Sequence, residues 1–246
     1  MDDKIIVVPA DQRNIGFYEH FLKSLRKFHS EKELPVKLIT EEDVKAIGDP
    51  ELYYRMTPFV GKDLLTHYKT VIKCDADSIV TGPLDALWEG EFDIGVVNNS
   101  NPREMQNHLV TVWDINPLAY FNCGLVVMKS KAFVDHWWKL CSSLHFHTYQ
   151  YREQDLLNIL VYYGNYTVKK FDEGDSYYGL AGKGYYVHTK MVGDDIVLSR
   201  DDRDWPDTGE KKIKVVHFAG GNDPNKGNYR ILFPESVAER ITWLIT

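Results

Sequence analysis

The chain has 246 residues, of which 43% are hydrophobic and 26% are charged, so it is long enough to bury a substantial core as one domain. Its formal net charge of −7 argues against nucleic-acid binding, because a duplex is bound by a basic surface. The 15 tyrosines and 6 tryptophans suit stacking on sugars or bases, and they suit a large aromatic core equally well.

The start of the chain and its cysteines predict a soluble protein of a reducing compartment. Met1–Ile6 is acidic and lacks the basic region and long apolar core of a signal peptide. No apolar run approaches the roughly 18 residues that a membrane helix needs, so no transmembrane segment is expected. Cys74, Cys123 and Cys141 are too few, and odd in number, for a disulfide framework, so we expect buried free thiols. These features predict a cytoplasmic location.

The first predicted elements are a strand, a helix and a second strand. Lys4–Val8 and Val36–Thr40 are short apolar runs, and apolar residues recur at helical spacing over residues 17–29 between them. This order predicts a βαβ unit and therefore a mainly parallel α/β sheet. The loop over residues 9–14 lies where such sheets bind ligands, yet it lacks the G-x-G-x-x-G fingerprint and the glycine-lysine pattern of a P-loop.

A helical segment leads to the next strand. Residues 51–68 are predicted to form two helical pieces with a break near Pro58, because proline interrupts the hydrogen bonds of a helix interior. Arg55 lies in this segment, shortly before the strand that begins at Tyr68.

The strand from Tyr68 runs directly into two acidic residues. Asp75 and Asp77 are two apart, with the small residue Ala76 between them, and residues two apart in an extended strand end point the same way. Two carboxylates aimed at one point repel each other unless a cation lies between them, which indicates a divalent-metal site. The alternative is an acidic turn at a strand end, since a bare D-x-D pattern is common by chance.

Two further strands are separated by a long loop. Phe92–Val97 and Tyr120–Met128 read as strands, and residues 98–118 between them are too long for an ordinary connection, which suggests a functional loop or flap. Asn122 and Gly124 interrupt the second strand. They either let a ligand approach the backbone or mark a bulge beside a sheet edge.

The last third of the chain contributes two candidate segments. A helix begins at Arg152, and Gln154 and Asp155 in its first turn are either functional or simply polar residues of a helix start. Residues 165–214 alternate short strands with loops, and 235–245 is predicted to be a C-terminal helix.

The strand that follows Lys214 delivers His217 to its end, next to a glycine-rich turn. Gly220, Gly221 and Lys226 belong to this turn. Imidazole can complete the coordination of an ion already held by carboxylates, and backbone amides with a lysine can bind phosphate. A lone histidine at a strand end is usually structural, but the turn and lysine beside this one favour a functional interpretation.

Five ordered segments resemble nucleotide-sugar glycosyltransferases of the GT-A fold, closest to glycosyltransferase family eight, which includes glycogenin and the lipopolysaccharide galactosyltransferases. The segments are Arg55, 73–80, 120–127, 153–158 and 217–220 with Lys226. They resemble that family's arginine before the strand and its Asp-x-Asp, Phe-Asn-x-Gly, Asp-Gln-Asp and His-x-x-Gly-x-x-Lys patterns. The chain departs from the family at Cys74, at Glu153 in place of aspartate, and after Lys226, where Gly-Asn replaces Pro-Trp.

The resemblance implies a fold and a reaction. It implies a single Rossmann-like GT-A domain, a mixed, mainly parallel sheet flanked by helices, with a nucleotide-binding half over about 1–97 and an acceptor half over about 98–246. It implies the transfer of a hexose or related sugar from a nucleoside-diphosphate sugar, by default a UDP-sugar, to a glycan or other hydroxyl acceptor. The family retains the anomeric configuration and uses Mn²⁺ or Mg²⁺.

The resemblance also implies residue roles. Asp75, Asp77 and His217 would hold the metal, and Asp75 and Asp77 are also candidates for catalysis together with Gln154 and Asp155; a nucleophilic Asp155 is a hypothesis. The donor would contact the end of the first strand, the segment around the acidic pair, the interrupted strand and the glycine-rich turn. These donor residues are Val8, Pro9, Ala10, Asp11, Arg55, Asp75, Ala76, Asp77, Asn122, Gly124, Gly220, Gly221 and Lys226.

Two other functions stay open on the sequence alone. One is a catalytically weak or inactive carbohydrate- or nucleotide-binding protein on the same scaffold. The other is a sugar-phosphate nucleotidyltransferase, which needs a loop rich in glycine, arginine and lysine after the first strand, and Pro9–Arg13 does not supply it.

Overall fold

The protein is described from a computed structural model, which covers residues 2–12, 14–48, 52–99, 113–116, 120–172, 176–178, 188–199, 210–218 and 229–246. Its strands are β1 (Asp2–Ala10), β2 (Val36–Thr40), β3 (Tyr68–Cys74), β4 (Ser78–Val80), β5 (Ile94–Asn98), β6 (Phe121–Met128), β7 (Val168–Lys170), β8 (Ser176–Tyr177), β9 (Thr189–Val192), β10 (Asp195–Ser199), β11 (Glu210–Ile213) and β12 (Val215–His217). Its α-helices are α1 (Ile15–Arg26), α2 (Glu41–Ile47), α3 (Met56–Leu64), α4 (Lys131–Cys141), α5 (Glu153–Tyr163), α6 (Tyr229–Leu232) and α7 (Glu235–Ile245).

The main sheet has the strand order β2-β1-β3-β6-β5-β7. β1 is parallel to β2 and β3, and β5 is parallel to β7, whereas β6 runs antiparallel to both of its neighbours. This arrangement confirms the predicted mixed, mainly parallel α/β sheet. β8 to β11 form a second sheet, and β4 pairs antiparallel with β12 in a two-stranded sheet.

Helices cover both faces of the main sheet, which explains the continuous apolar runs of its strands. Side chains of successive residues alternate between the faces. Ile6 and Ile72 therefore pack in the layer that contains Phe21 and Leu25 of α1. Val71 packs in the opposite layer with residues of α3, α4 and α5. A sheet that is buried on both sides needs apolar residues at nearly every position.

The predicted break near Pro58 is wrong. A 3₁₀ turn over Leu52–Arg55 ends where α3 begins at Met56, so Pro58 is the third residue of that helix. The first N–H groups of a helix have no partner four residues earlier, so a proline there removes no hydrogen bond. The predicted C-terminal helix, by contrast, is confirmed as α7.

The three cysteines are buried free thiols, as predicted. Burial raises the pKa of the Cys74 thiol to about 12, so it is protonated at neutral pH. Across the residues that the structure covers, none of the helices combines the length and apolar character needed to cross a membrane.

Candidate active site

A cavity of about 600 Å³ opens at the carboxyl ends of β1 and β3. Its walls come from Pro9 at the end of β1, the start of α3, the turn after β3, the first half of β6, the start of α5 and the end of β12. Ligands of open α/β sheets bind at this edge. The cavity is therefore the first place to look for chemistry.

Asp75, Asp77 and His217 meet in this cavity. The Nε2 atom of His217 lies 3.3 Å from Oδ2 of Asp75 and 3.0 Å from Oδ1 of Asp77. One ligand atom of each residue lies within 4.8 Å of the others. Two carboxylate oxygens and one imidazole nitrogen suit a hard to borderline divalent cation such as Mg²⁺ or Mn²⁺. The cluster therefore fits the metal that the sequence predicts.

The pairing of β4 with β12 brings the histidine to the acids. His217 lies opposite Ser78 in this ladder, and the N–H of Phe218 donates to the carbonyl of Asp77 at 2.9 Å. On the other side, the N–H of Asp75 donates to the carbonyl of Gly124 at 2.8 Å. The acids lie at a turn rather than in a strand, since the N–H of Ser78 donates to the carbonyl of Asp75 at 3.2 Å.

Within this cluster the imidazole of His217 holds its proton tightly. Burial lowers the pKa of His217, but Asp77 and Asp75 outweigh this and raise it to about 10. Burial raises the pKa of Asp75, yet Lys73 and His217 outweigh it and bring the value to about 2. The imidazolium thus balances the carboxylates, and a metal ligand must be the neutral imidazole, so cation binding there releases a proton.

Lys73 is a site residue that the sequence interpretation missed. The residue is 6% exposed, and its ammonium donates to the Asp75 carboxylate and, at 2.6 Å, to the Cys123 carbonyl. The available signal was its spacing, because a residue two before Asp75 in a strand points to the same face.

Gly124 leaves room for the histidine. A methyl group built at Gly124 would overlap the imidazole of His217, and Asn122 accepts the N–H of Gly124 at 2.5 Å. The pairing of β6 with β5 also shifts register between Val96 and Val97, opposite this segment. Both interpretations of Asn122 and Gly124 therefore have support. The group that closely approaches the backbone is a side chain of the site rather than a ligand, and the irregularity lies in a central strand rather than beside a sheet edge.

Side chains from the first two turns of α5 form hydrogen bonds with the backbone of this irregular part of β6. The Oε1 atom of Gln154 accepts the N–H of Cys123 at 2.9 Å, and Gln154 lines the cavity. One turn later, Asn158 accepts from the N–H of Phe121 at 2.7 Å and donates to the carbonyl of Phe121 at 2.9 Å. The amides of this motif thus satisfy strand groups that the sheet ladder leaves unpaired.

Asp155 lies behind the cavity wall. Its side chain is 1% exposed, and it accepts from the hydroxyl of Tyr120 at 2.5 Å and from the N–H of Tyr151 at 2.9 Å. It is not among the residues that line the cavity. Its described contacts are those of a residue that holds the start of α5 in place.

Glu153, an acid, is a second cavity residue that the sequence interpretation did not single out as functional. Its carboxylate accepts from the hydroxyl of Thr57 at 2.6 Å and from the N–H of Thr57 at 3.1 Å. Burial raises the pKa of Glu153 to about 7 despite the opposing charge of Lys73 and the bonds from Thr57. This carboxyl group therefore changes charge near neutral pH.

Arg152, at the cavity rim, has a backbone with a positive φ of 51° and a ψ of −119°. Such a conformation is costly for any residue other than glycine. The side chain lies 5.7 Å from the centre of the Phe146 ring, and Nη1 lies 3.1 Å from Nδ1 of His147. The turn into α5 is thus strained where it borders the cavity.

Only some of the other predicted donor residues line the cavity. Pro9 and Ala76 line the cavity, but Val8 and Ala10 are core residues, because β1 continues to Ala10 rather than ending before a loop. Asp11 is buried and accepts the N–H of Asn14 at 2.9 Å.

Arg55 is not part of the cavity lining; it donates to the carbonyl of Cys141 at 3.2 Å and stacks 5.3 Å from the Trp138 ring centre. Gly220, Gly221 and Lys226 lie outside the described residues, as does most of the loop over 98–118.

Comparisons with known proteins give a consistent result. A family model described as Glycosyl transferase family 8 matches residues 43–225. No curated protein sequence matches the chain. Among solved structures, the chain is similar to the galactosyltransferase LgtC in complex with donor and acceptor sugar analogs, with 19% identity, a TM-score of 0.63, and coverage of 98% of this chain and 95% of that chain.

Two further structures resemble it. The WbbM bifunctional glycosyltransferase shares 12% identity with a TM-score of 0.60, covering 98% of this chain and 52% of that one. Apo GlyE of Streptococcus pneumoniae TIGR4 shares 15% identity with a TM-score of 0.54, covering 99% of this chain and 64% of that one. At these identities the likeness establishes the fold, which is the predicted GT-A type.

Proposed function

We propose, on the premise that the chain belongs to glycosyl transferase family 8 and is a nucleotide-sugar glycosyltransferase, that its reaction depends on a divalent metal held by Asp75, Asp77 and His217. The donor we propose is a UDP-sugar, and the acceptor is a hydroxyl group of a glycan or similar molecule. The observation that carries this proposal is the convergence of two carboxylates and one imidazole in a 600 Å³ cavity at the strand ends.

The proposed roles follow from position. Asp75, Asp77 and the neutral form of His217 hold the cation, and Pro9 and Ala76 border the nucleotide. A divalent cation bound there, Mn²⁺ or Mg²⁺, offsets the charge that develops on the departing nucleoside diphosphate. This assigns the nucleotide to the half of the domain over about 1–97 and the acceptor to the half over about 98–246.

The sugar lies, in this proposal, against the start of α5 and the first half of β6. Gln154, Glu153 and Asn122 all line the cavity and offer amide and carboxyl groups to sugar hydroxyls. Gln154 is held by the N–H of Cys123, so it is presented in a fixed orientation. Asp155 acts as a positioning residue behind this wall, since its carboxylate is engaged by Tyr120 and Tyr151.

We propose transfer with retention of the anomeric configuration, without a covalent role for Asp155. A full loss of transfer in Asp155→Asn, together with a trapped sugar adduct on Asp155 in the wild type, would instead make this residue the nucleophile. Unchanged folding of the variant, measured by thermal unfolding, is needed for that conclusion.

The test of the function measures thermal unfolding with UDP, GDP and CDP, each with Mn²⁺ or with EDTA. We expect UDP to stabilise the protein only when Mn²⁺ is present, by about 2.7 kcal/mol at a ligand concentration 100 times its dissociation constant. Mass spectrometry of products from a panel of nucleotide sugars then identifies the donor.

The outcomes separate the alternatives. Metal-dependent binding without turnover of any donor or acceptor would favour a binding protein on a transferase scaffold. Formation of a nucleotide sugar from a sugar phosphate and a nucleoside triphosphate would favour a nucleotidyltransferase. Equal stabilisation in Mn²⁺ and EDTA would contradict the proposed metal site.

A further inference from the structure

Lys73 is a buried cation in the middle of the main sheet. It lies beside Val7 of β1 and Val126 of β6 in the ladder, positions that a sheet covered on both faces normally fills with apolar residues. Its side chain runs to the cavity wall, where the ammonium contacts the Asp75 carboxylate and the Cys123 carbonyl. A lysine in such a place is costly unless its charge is matched.

The two oxygens of Asp75 have different partners. Oδ1 accepts from Lys73, whereas Oδ2 faces the cluster, 3.3 Å from Nε2 of His217. Lys73 itself is fixed by its second bond to the Cys123 carbonyl, a backbone group of β6. One oxygen is thus bound on the protein side, and the other is directed toward the place where a cation would bind.

We propose that Lys73 is a positioning residue and a built-in counter-charge of the metal site, which stabilises the acid pair before the cation binds and limits how tightly the cation is then held. This inference rests on the proposed function, because it requires the cation to bind at Asp75, Asp77 and His217. It goes further than that function, because it states that Lys73, which is not a metal ligand, determines how tightly the metal binds.

The sign of the effect follows from electrostatics. The ammonium attracts Asp75 and repels a dication bound to the other oxygen of the same carboxylate. Replacement by a neutral residue removes both effects, so the metal-free protein loses stability while the bound cation loses a repulsive neighbour. The opposing effect, loss of a fixed orientation for Asp75, concerns only the two rotatable bonds of a short side chain, and we expect it to be the smaller of the two.

The experiment compares Lys73→Met and Lys73→Arg with the wild type. Binding of Mn²⁺ alone is measured by the loss of the free-ion electron paramagnetic resonance signal, and thermal unfolding is measured in EDTA and in Mn²⁺. For Lys73→Met we expect a lower melting temperature in EDTA, and Mn²⁺ affinity about tenfold higher than that of the wild type. For Lys73→Arg, which keeps the charge, we expect Mn²⁺ affinity within about threefold of the wild type.

A second neutral variant guards against misfolding. Lys73→Gln keeps a donor for the Cys123 carbonyl and removes the charge, so it should show the same rise in Mn²⁺ affinity as Lys73→Met. If Lys73 only supported the fold, its replacement would lower stability without raising the affinity for Mn²⁺. The affinity measurement therefore separates the two roles.

Each outcome has one meaning. Binding of Mn²⁺ by the wild type, with unchanged or weaker binding by both neutral variants, would overturn the role of Lys73 and leave the proposed function intact. Absence of Mn²⁺ binding by the wild type, alone and with UDP, would overturn the metal site and this inference with it.

Discussion

The imidazole of His217 lies so close to the Cα atom of Gly124 that a methyl group on this atom would overlap the ring. Gly124→Ala should therefore displace His217 from the two carboxylates, because the other atoms that crowd this position include the side chain of Asn122. We expect Mn²⁺ affinity to fall about tenfold or more and transfer to fall further, measured by metal titration and by product formation.

Gly82→Ala is the matched control for this substitution. The three atoms nearest to a methyl group there all belong to the side chain of Lys214, a flexible chain that can move aside. We expect Mn²⁺ affinity and transfer close to the wild type. Normal metal binding by Gly124→Ala would show that His217 tolerates displacement and is not a ligand.

Removal of one acid of the pair should separate chemistry from folding. Asp77→Ala deletes one proposed ligand, while Asp75 remains in contact with the imidazole of His217. We expect the Mn²⁺-dependent stabilisation by UDP to disappear and transfer to fall about 100-fold or more, while the free energy of unfolding in EDTA changes by about 1 kcal/mol.

The control for this change is Glu19→Gln, which removes one negative charge from an exposed position of α1. It should leave both UDP binding and transfer as in the wild type. Persistence of metal-dependent transfer in Asp77→Ala would remove this carboxylate from the site.

The sequence predicts the acid pair better than it predicts its surroundings. The fold class and the family are confirmed, and the spacing of Asp75 and Asp77 was enough to expect converging carboxylates. The position of His217 at a strand end beside a glycine-rich turn indicates a functional residue, but its approach to the acids depends on the pairing of β4 with β12, and such long-range pairing leaves no local trace in sequence.

Residues whose role depends on a distant partner were harder to interpret. In the sequence Asp155 looks like an exposed residue of a first helical turn, whereas in the structure it is buried and accepts hydrogen bonds from the hydroxyl of Tyr120 and the N–H of Tyr151. The sequence leaves open whether Gly124 allows a close approach or marks a bulge, and it does not say that a side chain, rather than a ligand, makes the approach. Lys73 is hard to identify as a site residue from sequence, because a lysine in a strand is normally at an edge or in solvent.

Glu153 should make stability depend on pH near neutrality. Its pKa is raised from 4.5 to about 7 in the folded protein, so the folded state binds the proton more tightly than the unfolded state does. The stabilisation is therefore complete below about pH 4.5 and is lost as the pH rises through about 7. Glu153→Gln cannot lose a proton, so its free energy of unfolding relative to the wild type should be higher at pH 8 than at pH 5, by about 1–3 kcal/mol.

Denaturant unfolding at both pH values checks this, and the comparison of variant with wild type cancels the titration of other groups. Glu42→Gln, at an exposed position of α2, should show no such pH dependence. A constant difference between Glu153→Gln and the wild type from pH 5 to pH 8 would mean that Glu153 titrates normally.

The bond between Tyr120 and Asp155 should contribute to stability and to the geometry of the cavity wall. Tyr120→Phe removes a donor from a buried carboxylate, and we expect the free energy of unfolding to fall by about 1–3 kcal/mol. Because Gln154 also contacts this hydroxyl at 3.3 Å, we expect a lower kcat as well.

Tyr166→Phe removes a comparable hydroxyl, which contacts His136 at 3.1 Å near the surface. Its stability should stay within about 0.5 kcal/mol of the wild type, and its kcat should be unchanged. Equal effects of the two substitutions in denaturant titrations and steady-state kinetics would contradict a special role for the buried pair.

Because β4 and β12 are far apart in the chain, the cluster of Asp75, Asp77 and His217 can be completed only late in synthesis on the ribosome. The acid pair emerges with the first third of the chain, and the imidazole follows on the order of ten seconds later at ordinary rates of synthesis. During that interval a nascent chain has carboxylates without their histidine, and the lysine two positions upstream is already present to accompany them. A chain that stops before β12 therefore never acquires a three-ligand centre, however well its first strands have assembled.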